Sequence, residues 1–135
     1  MEMTQSDSPA YSAAGRTKTG AWMRVLIVED EYYLADDLAR ALEAGGHEVL
    51  GPVGTVEEAE QAVAEDGFDV AIIDMNLHGD NAFPVADRLK ERGIPFVIAT
   101  GYSSASLPER FADAPRIEKP FGAEAVIAAL PDIAS

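Results

Sequence analysis

Four segments of the sequence that are predicted to be strands each end in side chains that can take part in chemistry. In chain order these are an acidic pair, a single carboxylate, a hydroxyl group and an ammonium group: Glu29 and Asp30, Asp74, Thr100, and Lys119. An aspartate can act as the nucleophile that accepts a phosphoryl group. Phosphoryl transfer otherwise needs positioning and charge neutralisation more than acid–base groups. Each residue alone is ordinary in a loop or a helix cap, but the combination predicts a phosphoryl-transfer site with Asp74 as its acceptor.

Two of the segments that carry these side chains have the composition of buried strands. Residues 23–28 and 70–73 are apolar without alternation, which is typical of parallel strands covered on both faces. Further strands are predicted at 47–53, 94–99 and 116–118. Amphipathic spacing and caps predict helices at about 32–44, 55–65, 83–92 and 123–130, with Pro131 ending the last one and 103–114 at most a weak helix. The alternation predicts an α/β fold with a five-stranded parallel sheet and helices on both faces.

Parallel strands present their carboxyl ends at one edge of the sheet, so the five side chains are expected to meet in one crevice. Three carboxylates in such a crevice repel one another, and a hard divalent cation with oxygen ligands relieves the repulsion. We therefore predict a Mg²⁺ site. Asp30 and Asp74 are its expected direct ligands, Glu29 acts through water, and the backbone carbonyl of Asn76 supplies a further oxygen.

Lys119 and Thr100 complete the predicted chemistry. The ammonium group of Lys119 can pair with Asp74 or with an anion bound to it, and the hydroxyl group of Thr100 is a donor. Together with Mg²⁺ they would cover the three phosphoryl oxygens.

Composition limits the partners and the location. The chain has 135 residues with 10 basic and 24 acidic side chains, a net charge of −14, and no cysteine. Such a charge repels nucleic acid and anionic membranes, so neither is an expected partner. No apolar run approaches the roughly 20 residues of a membrane span, and a signal-peptide pattern is absent. We expect a cytoplasmic, single-domain protein with a disordered tail at 1–22, one folded domain at 23–131 and a short C-terminal tail at 132–135.

Residues 24–130 resemble the receiver domain of response regulators in two-component signalling. Four short motifs carry the resemblance, and they span nearly the whole folded region: Val28-Glu29-Asp30-Glu31, Ile73-Asp74-Met75-Asn76, Ala99-Thr100-Gly101 and Glu118-Lys119-Pro120-Phe121.

This resemblance implies a flavodoxin-like, doubly wound sheet with strand order 2-1-3-4-5. It implies Asp74 as phosphoacceptor, Glu29 and Asp30 as the acidic Mg²⁺ pair, and Thr100 and Lys119 as phosphoryl-contacting switch residues. A cis peptide bond between Lys119 and Pro120 also belongs to the family pattern. The implied phosphodonor is a sensor histidine kinase or a histidine phosphotransfer protein.

One position departs from the conventional receiver pattern. Arg116 stands where most receivers carry an aromatic switch residue. The segment ending in Thr100-Gly101-Tyr102 is instead similar to a subfamily named for a Phe-Ala-Thr-Gly-aromatic motif, with Ile98 in place of its Phe, and many of its members are single-domain receivers. Our hypothesis puts the switch in Thr100, Gly101, Tyr102 and cis Pro120, with 103–114 as the moving segment. In the alternative, Tyr102 only packs against a rigid loop.

Four functions are compatible with parts of this pattern. The first is a stand-alone receiver, not an enzyme beyond self-phosphorylation and autodephosphorylation, that signals to a protein partner or drains a kinase as a phosphate sink. It would be a monomer or a weak, phosphorylation-dependent homodimer. An aspartyl-phosphate hydrolase would usually need a second Asp at the position of Asn76. A flavodoxin would have to bind the phosphate of its flavin after the first strand, where the acids at 29–31 would repel it. A receiver-like scaffold that is never phosphorylated is the remaining alternative.

Overall fold

A parallel sheet lies between two layers of helices. The computed structural model describes residues 22–100, 107–119 and 122–134. Along these residues the elements are β1 (Arg24–Val28), α1 (Tyr32–Ala44), β2 (Glu48–Val53), α2 (Val56–Glu65), β3 (Val70–Asp74), β4 (Asn76–Leu77), β5 (Asp80–Asn81), α3 (Phe83–Arg92), β6 (Phe96–Thr100), β7 (Arg116–Glu118) and α4 (Ala123–Ala134). A single 3₁₀ turn at Glu109–Phe111 precedes β7.

The main sheet has the order β2-β1-β3-β6-β7, and every neighbouring pair is parallel. Counting only the strands of this sheet, the order is 2-1-3-4-5, so the predicted flavodoxin-like fold is confirmed. The strand β3 is central, since Ile72 lies between Ile27 of β1 and Val97 of β6. Helices cover both faces of this strand, which explains why residues 70–73 are all apolar.

Successive side chains of the central strands enter two separate cores, one on each face of the sheet. On one face Leu26 and Ile73 pack with residues of α2 and α3, and on the other Ile27 and Ile72 pack with residues of α1 and α4. All four are at most 1% exposed. Full burial of one such side chain contributes roughly 1.5–3 kcal/mol, so these two cores hold the central strands and the residues at their ends in place.

The predicted ends of the middle helices are confirmed. Thr55 accepts a hydrogen bond from the backbone N–H of Glu58 (3.1 Å) and begins α2. The Glu58 carboxylate accepts a hydrogen bond from the backbone N–H of Gly54 (3.1 Å). In the usual capping box the donor is the N–H of the N-cap residue itself, one position later. Gly93 ends α3 with φ +71°, a left-handed conformation that glycine adopts without a Cβ clash.

Two predictions about the C-terminal third need comment. The prediction that Pro131 ends the last helix is wrong, because α4 continues to Ala134. A proline removes one backbone donor and crowds the carbonyl four residues earlier, but these local penalties do not stop the three residues after it from keeping helical geometry. In the segment 103–114, the described part from 107 onward contains only the 3₁₀ turn, in agreement with the expected weak helix. The predicted N-terminal tail lies outside the described residues, apart from Trp22.

Candidate functional site

The ends of four strands form one edge of the sheet. Asp74, the last residue of β3, lies beside Ala99 of β6, and the following residue Thr100 pairs with Glu118 of β7. The first strand runs parallel to β3, so its end also lies at this edge. Asp74 is only 5% exposed although it is charged. The sheet therefore brings the predicted site residues to one place, as the parallel topology requires.

Glu29, Asp30 and Asp74 form an acidic cluster at this edge. Each offers a carboxylate oxygen, and these oxygens lie within 4.8 Å of one another. Glu29 is as buried as Asp74, at 4% exposed. Clustered, desolvated carboxylates repel one another, and oxygen atoms are the ligands that Mg²⁺ prefers. The donor set therefore fits a hard divalent cation.

A small hairpin of β4 and β5 holds two of these carboxylates. The backbone N–H of Asn76 donates to Asp74 Oδ1 (3.0 Å), and the N–H of His78 donates to Asp30 Oδ2 (2.9 Å). The turn between the strands is closed by the Gly79 N–H, which donates to Asn76 Oδ1 (2.9 Å). These contacts place the Asn76 peptide directly beside Asp74. The ligand role of its carbonyl stays a prediction.

Lys119 reaches into the cluster from the end of β7. Its Nζ donates to Asp74 Oδ2 (2.9 Å) and to Glu29 Oε2 (3.2 Å), as predicted for a lysine that pairs with the acceptor carboxylate. A third contact, to Glu31 Oε1 (2.8 Å), was not predicted from the sequence. The signal available was the third acid in the run 29–31, directly after the two predicted metal residues.

Burial and neighbouring charges change the ionisation of this cluster. Burial, opposed by the N–H of Glu31 and reinforced by the charge of Asp74, raises the pKa of Glu29 from 4.5 to about 7. Burial alone would lower the pKa of Lys119, but its hydrogen bonds to Glu31 and Asp74 outweigh that effect and raise the pKa. Lys119 therefore stays protonated at physiological pH. The ionised form of Glu29 is destabilised by its burial.

Some predicted residues cannot be compared with the structure. Thr100 ends β6 as predicted, but its side chain lies outside the described part. Gly101, Tyr102 and Pro120, with the predicted cis bond, also lie outside the described residues. Their roles as switch residues remain predictions.

The fold and the site define a class of protein: a flavodoxin-like α/β domain with buried acids and a lysine at the carboxyl edge of its sheet. The family model for the response regulator receiver domain matches residues 25–131. The chain therefore belongs to the response regulator receiver family, and the resemblance noted in the sequence is confirmed.

Several known proteins are similar to this chain. The sensory transduction protein LytT of Bacillus cereus is 33% identical over 112 residues, covering 80% of this chain and 46% of LytT. The phyllosphere-induced regulator PhyR of Methylorubrum extorquens is 34% identical over 100 residues, covering 72% of this chain and 36% of PhyR. The chain thus spans at most about half the length of these curated relatives.

A solved structure of similar size also matches. The solution structure of SdrG from Sphingomonas melonis Fr1 is 42% identical, with a TM-score of 0.70 over 84% of this chain and 97% of SdrG. SdrG has also been solved in a BeF3-activated conformation, which is 44% identical with a TM-score of 0.67 over 80% of this chain and 95% of that one. None of the helices in the described ranges is long and apolar enough to cross a bilayer.

Proposed function

We propose that this chain is a stand-alone receiver of a two-component phosphorelay that accepts a phosphoryl group on Asp74 in the presence of Mg²⁺. The donor would be a sensor histidine kinase or a histidine phosphotransfer protein, and the reaction would take place in the cytoplasm. The observation that supports this most directly is the contact of Lys119 with Asp74 and Glu29 at a buried edge, across 45 and 90 sequence positions.

In the proposed reaction an Asp74 oxygen attacks the phosphorus atom of a phosphohistidine. The new O–P bond forms as the N–P bond breaks, and the electron pair of that bond stays on the imidazole nitrogen. Two hydrogen bonds would orient Asp74 for this attack. The backbone N–H of Asn76 donates to Oδ1, and Lys119 Nζ donates to Oδ2. A Mg²⁺ ion, held by Asp30, Asp74 and the Asn76 carbonyl and through water by Glu29, would neutralise charge on the transferred group.

After transfer, Lys119 and the hydroxyl group of Thr100 would contact the phosphoryl oxygens. We propose that the rearrangement continues through Gly101 and Tyr102, with cis Pro120 beside them, and reaches the segment up to residue 114. The proposal starts from the similarity of the segment ending in Thr100-Gly101-Tyr102 to the Phe-Ala-Thr-Gly-aromatic subfamily. The output would be contact with a downstream protein, a weak homodimer, or removal of phosphate from the kinase. Amide exchange at 102–114 should slow on phosphorylation, and unchanged exchange would contradict this switch.

Two exposed tyrosines suggest where the phosphodonor docks. Tyr32 and Tyr33 at the start of α1 are 74% and 84% exposed, and their rings meet edge to face with centroids 5.5 Å apart. Tyr32 also lines an open depression of about 260 Å³ beside Glu29 and Asp30. Exposed aromatic side chains next to a reactive site are typical of binding surfaces. Replacing Tyr33 with Ala should therefore slow transfer from a phosphohistidine protein while leaving transfer from acetyl phosphate unchanged.

The test of the proposed function is mass spectrometry after incubation with acetyl phosphate and Mg²⁺. We expect the native chain to gain one phosphoryl group and the Asp74→Asn variant to gain none. The matched control is Asp37→Asn, which removes an exposed aspartate of α1 and should leave phosphorylation intact.

Other outcomes would point to other functions. Phosphorylation that persists in Asp74→Asn would mean that the acceptor is misassigned. Sustained turnover of a phosphomonoester would indicate a hydrolase. No phosphorylation under any condition would leave the scaffold alternative, which the intact acidic cluster and lysine do not favour.

A further inference from the structure

The Lys119 ammonium group has three N–H donors and three carboxylate partners, so every donor is in use. The contact with Glu31 (2.8 Å) is as short as the one with Asp74 (2.9 Å) and shorter than the one with Glu29 (3.2 Å). A phosphoryl group on Asp74 would need at least one of these donors. One of the three carboxylates must then give up its hydrogen bond.

Glu31 differs from the other two partners in its surroundings. Its side chain is 63% exposed, against 2% for Glu29 and 6% for Asp74. An ion pair with an exposed carboxylate contributes little, because water readily replaces the lysine as the partner of that carboxylate. A buried carboxylate that loses its partner bears the full cost of desolvation. The bond to Glu31 is therefore the one that Lys119 can exchange most readily.

Within the described ranges, the Glu31 carboxylate makes no hydrogen bond other than the one from Lys119. It is the residue before α1, yet its side chain makes no capping hydrogen bond to that helix. It is not one of the three acids whose oxygens cluster in the candidate metal site. Its carboxylate instead points to Lys119, 88 positions away in the sequence.

We propose that Glu31 competes with the incoming phosphoryl group for Lys119, and so acts as a positioning residue that holds the lysine at the rim of the site. This inference rests on the proposed function. While the bond to Glu31 persists, the ammonium group is shared with an exposed carboxylate and is only partly available to the phosphoryl oxygens. The negative charge of Glu31 also opposes the approach of an anionic phosphodonor. Removing the carboxylate should therefore make phosphorylation faster.

The experiment compares phosphorylation rates with acetyl phosphate and Mg²⁺ in four proteins. Glu31→Gln should react faster than the native chain by about twofold to fivefold, the range expected when one exposed ion pair is lost. Glu43→Gln, which removes an exposed glutamate from the far end of α1, should react at the native rate. Glu31→Asp keeps the charge but shortens the side chain by one methylene group, so a direct contact predicts a faster rate here too.

A second measurement separates competition from a change in fold. The affinity for beryllofluoride with Mg²⁺, which imitates the phosphoryl group at equilibrium, should rise in Glu31→Gln by the same factor as the rate. A merely structural role would change neither quantity, and thermal unfolding should stay near that of the native chain because the side chain is exposed.

Three results would overturn the inference. If Asp74 is phosphorylated at an equal or lower rate in Glu31→Gln, the competition fails while the proposed function stands. If Glu31→Asp behaves like the native chain while Glu31→Gln is faster, the effect comes from the general field and not from the contact with Lys119. If the native chain takes neither a phosphoryl group nor beryllofluoride, the proposed function fails and the competition fails with it.

Discussion

Replacing Glu29 with Gln should stabilise the metal-free protein above neutral pH. Glu29 is buried against Asp74, and its pKa is raised from 4.5 to about 7. A pKa raised on folding means that the native state holds the proton more tightly than the unfolded chain. The stability from that proton is fully present below pH 4.5 and is lost as the pH rises through about 7. The Gln side chain is neutral at every pH, so the variant does not lose this stability as the pH rises.

The size of the effect follows from the same pKa. Each pKa unit corresponds to about 1.4 kcal/mol, so the rise from 4.5 to about 7 corresponds to about 3 kcal/mol of unfolding free energy. Urea unfolding in EDTA should therefore show Glu29→Gln gaining on the native chain between about pH 5 and pH 8, by up to that amount. The exposed Glu43→Gln variant is the control, and it should show no such pH-dependent gain.

Mg²⁺ should make the native chain more stable than Glu29→Gln. A cation that binds the folded cluster stabilises the native chain by mass action, and it should stabilise Glu29→Gln less because one oxygen anion is missing. If Glu29→Gln shows no gain at pH 8 without metal, Lys119 already compensates the buried charge. The cluster would then hold no uncompensated charge for a cation to neutralise.

Three further predictions concern other contacts. Asp30→Ala should weaken Mg²⁺ binding at least tenfold in calorimetric titration, and unchanged binding would mean the metal site is misassigned. Arg110→Ala breaks the two-pronged ion pair with Asp87 (2.7 and 3.1 Å) and should speed amide exchange at 107–114, whereas equal exchange would show that this ion pair does not hold the segment. His47 accepts from the Met23 N–H (3.1 Å) and burial lowers its pKa, so the native chain should lose stability relative to His47→Gln as pH falls below about 6.5; parallel pH curves would contradict this.

Most of the fold could be predicted because its signals are local. Apolar runs without alternation marked the strands β1 and β3, and amphipathic spacing with Gly93 at its end marked α3. Convergence of the site residues at one edge followed from the predicted parallel strands, whereas the strand order came only from the resemblance to receivers. The error at Pro131 shows the limit of a local rule, since a proline weakens a helix locally but α4 continues for three residues beyond it.

Part of the candidate site could likewise be predicted from the sequence, and part could not. The acids at the end of β1, the carboxylate of Asp74 and Lys119 could be named in advance because each follows a recognisable strand. No strand was predicted between β3 and α3, but the structure forms a hairpin there whose backbone N–H groups hold two of the carboxylates. Such hydrogen bonds carry no side-chain signature, so the sequence offers little from which to predict them.

The order of residues in the chain was enough to establish which chemical groups are available and at which edge of the sheet they assemble, because strand periodicity and strand ends are encoded over a few neighbouring positions. Which groups touch depends on packing between distant segments. The choice of Glu31 as a third partner for Lys119, and the burial that raises the pKa of Glu29, arise only when β7 lies near the end of β1. Distances of a few ångströms and exclusion of water are properties of the assembled fold, and they decide how the site behaves.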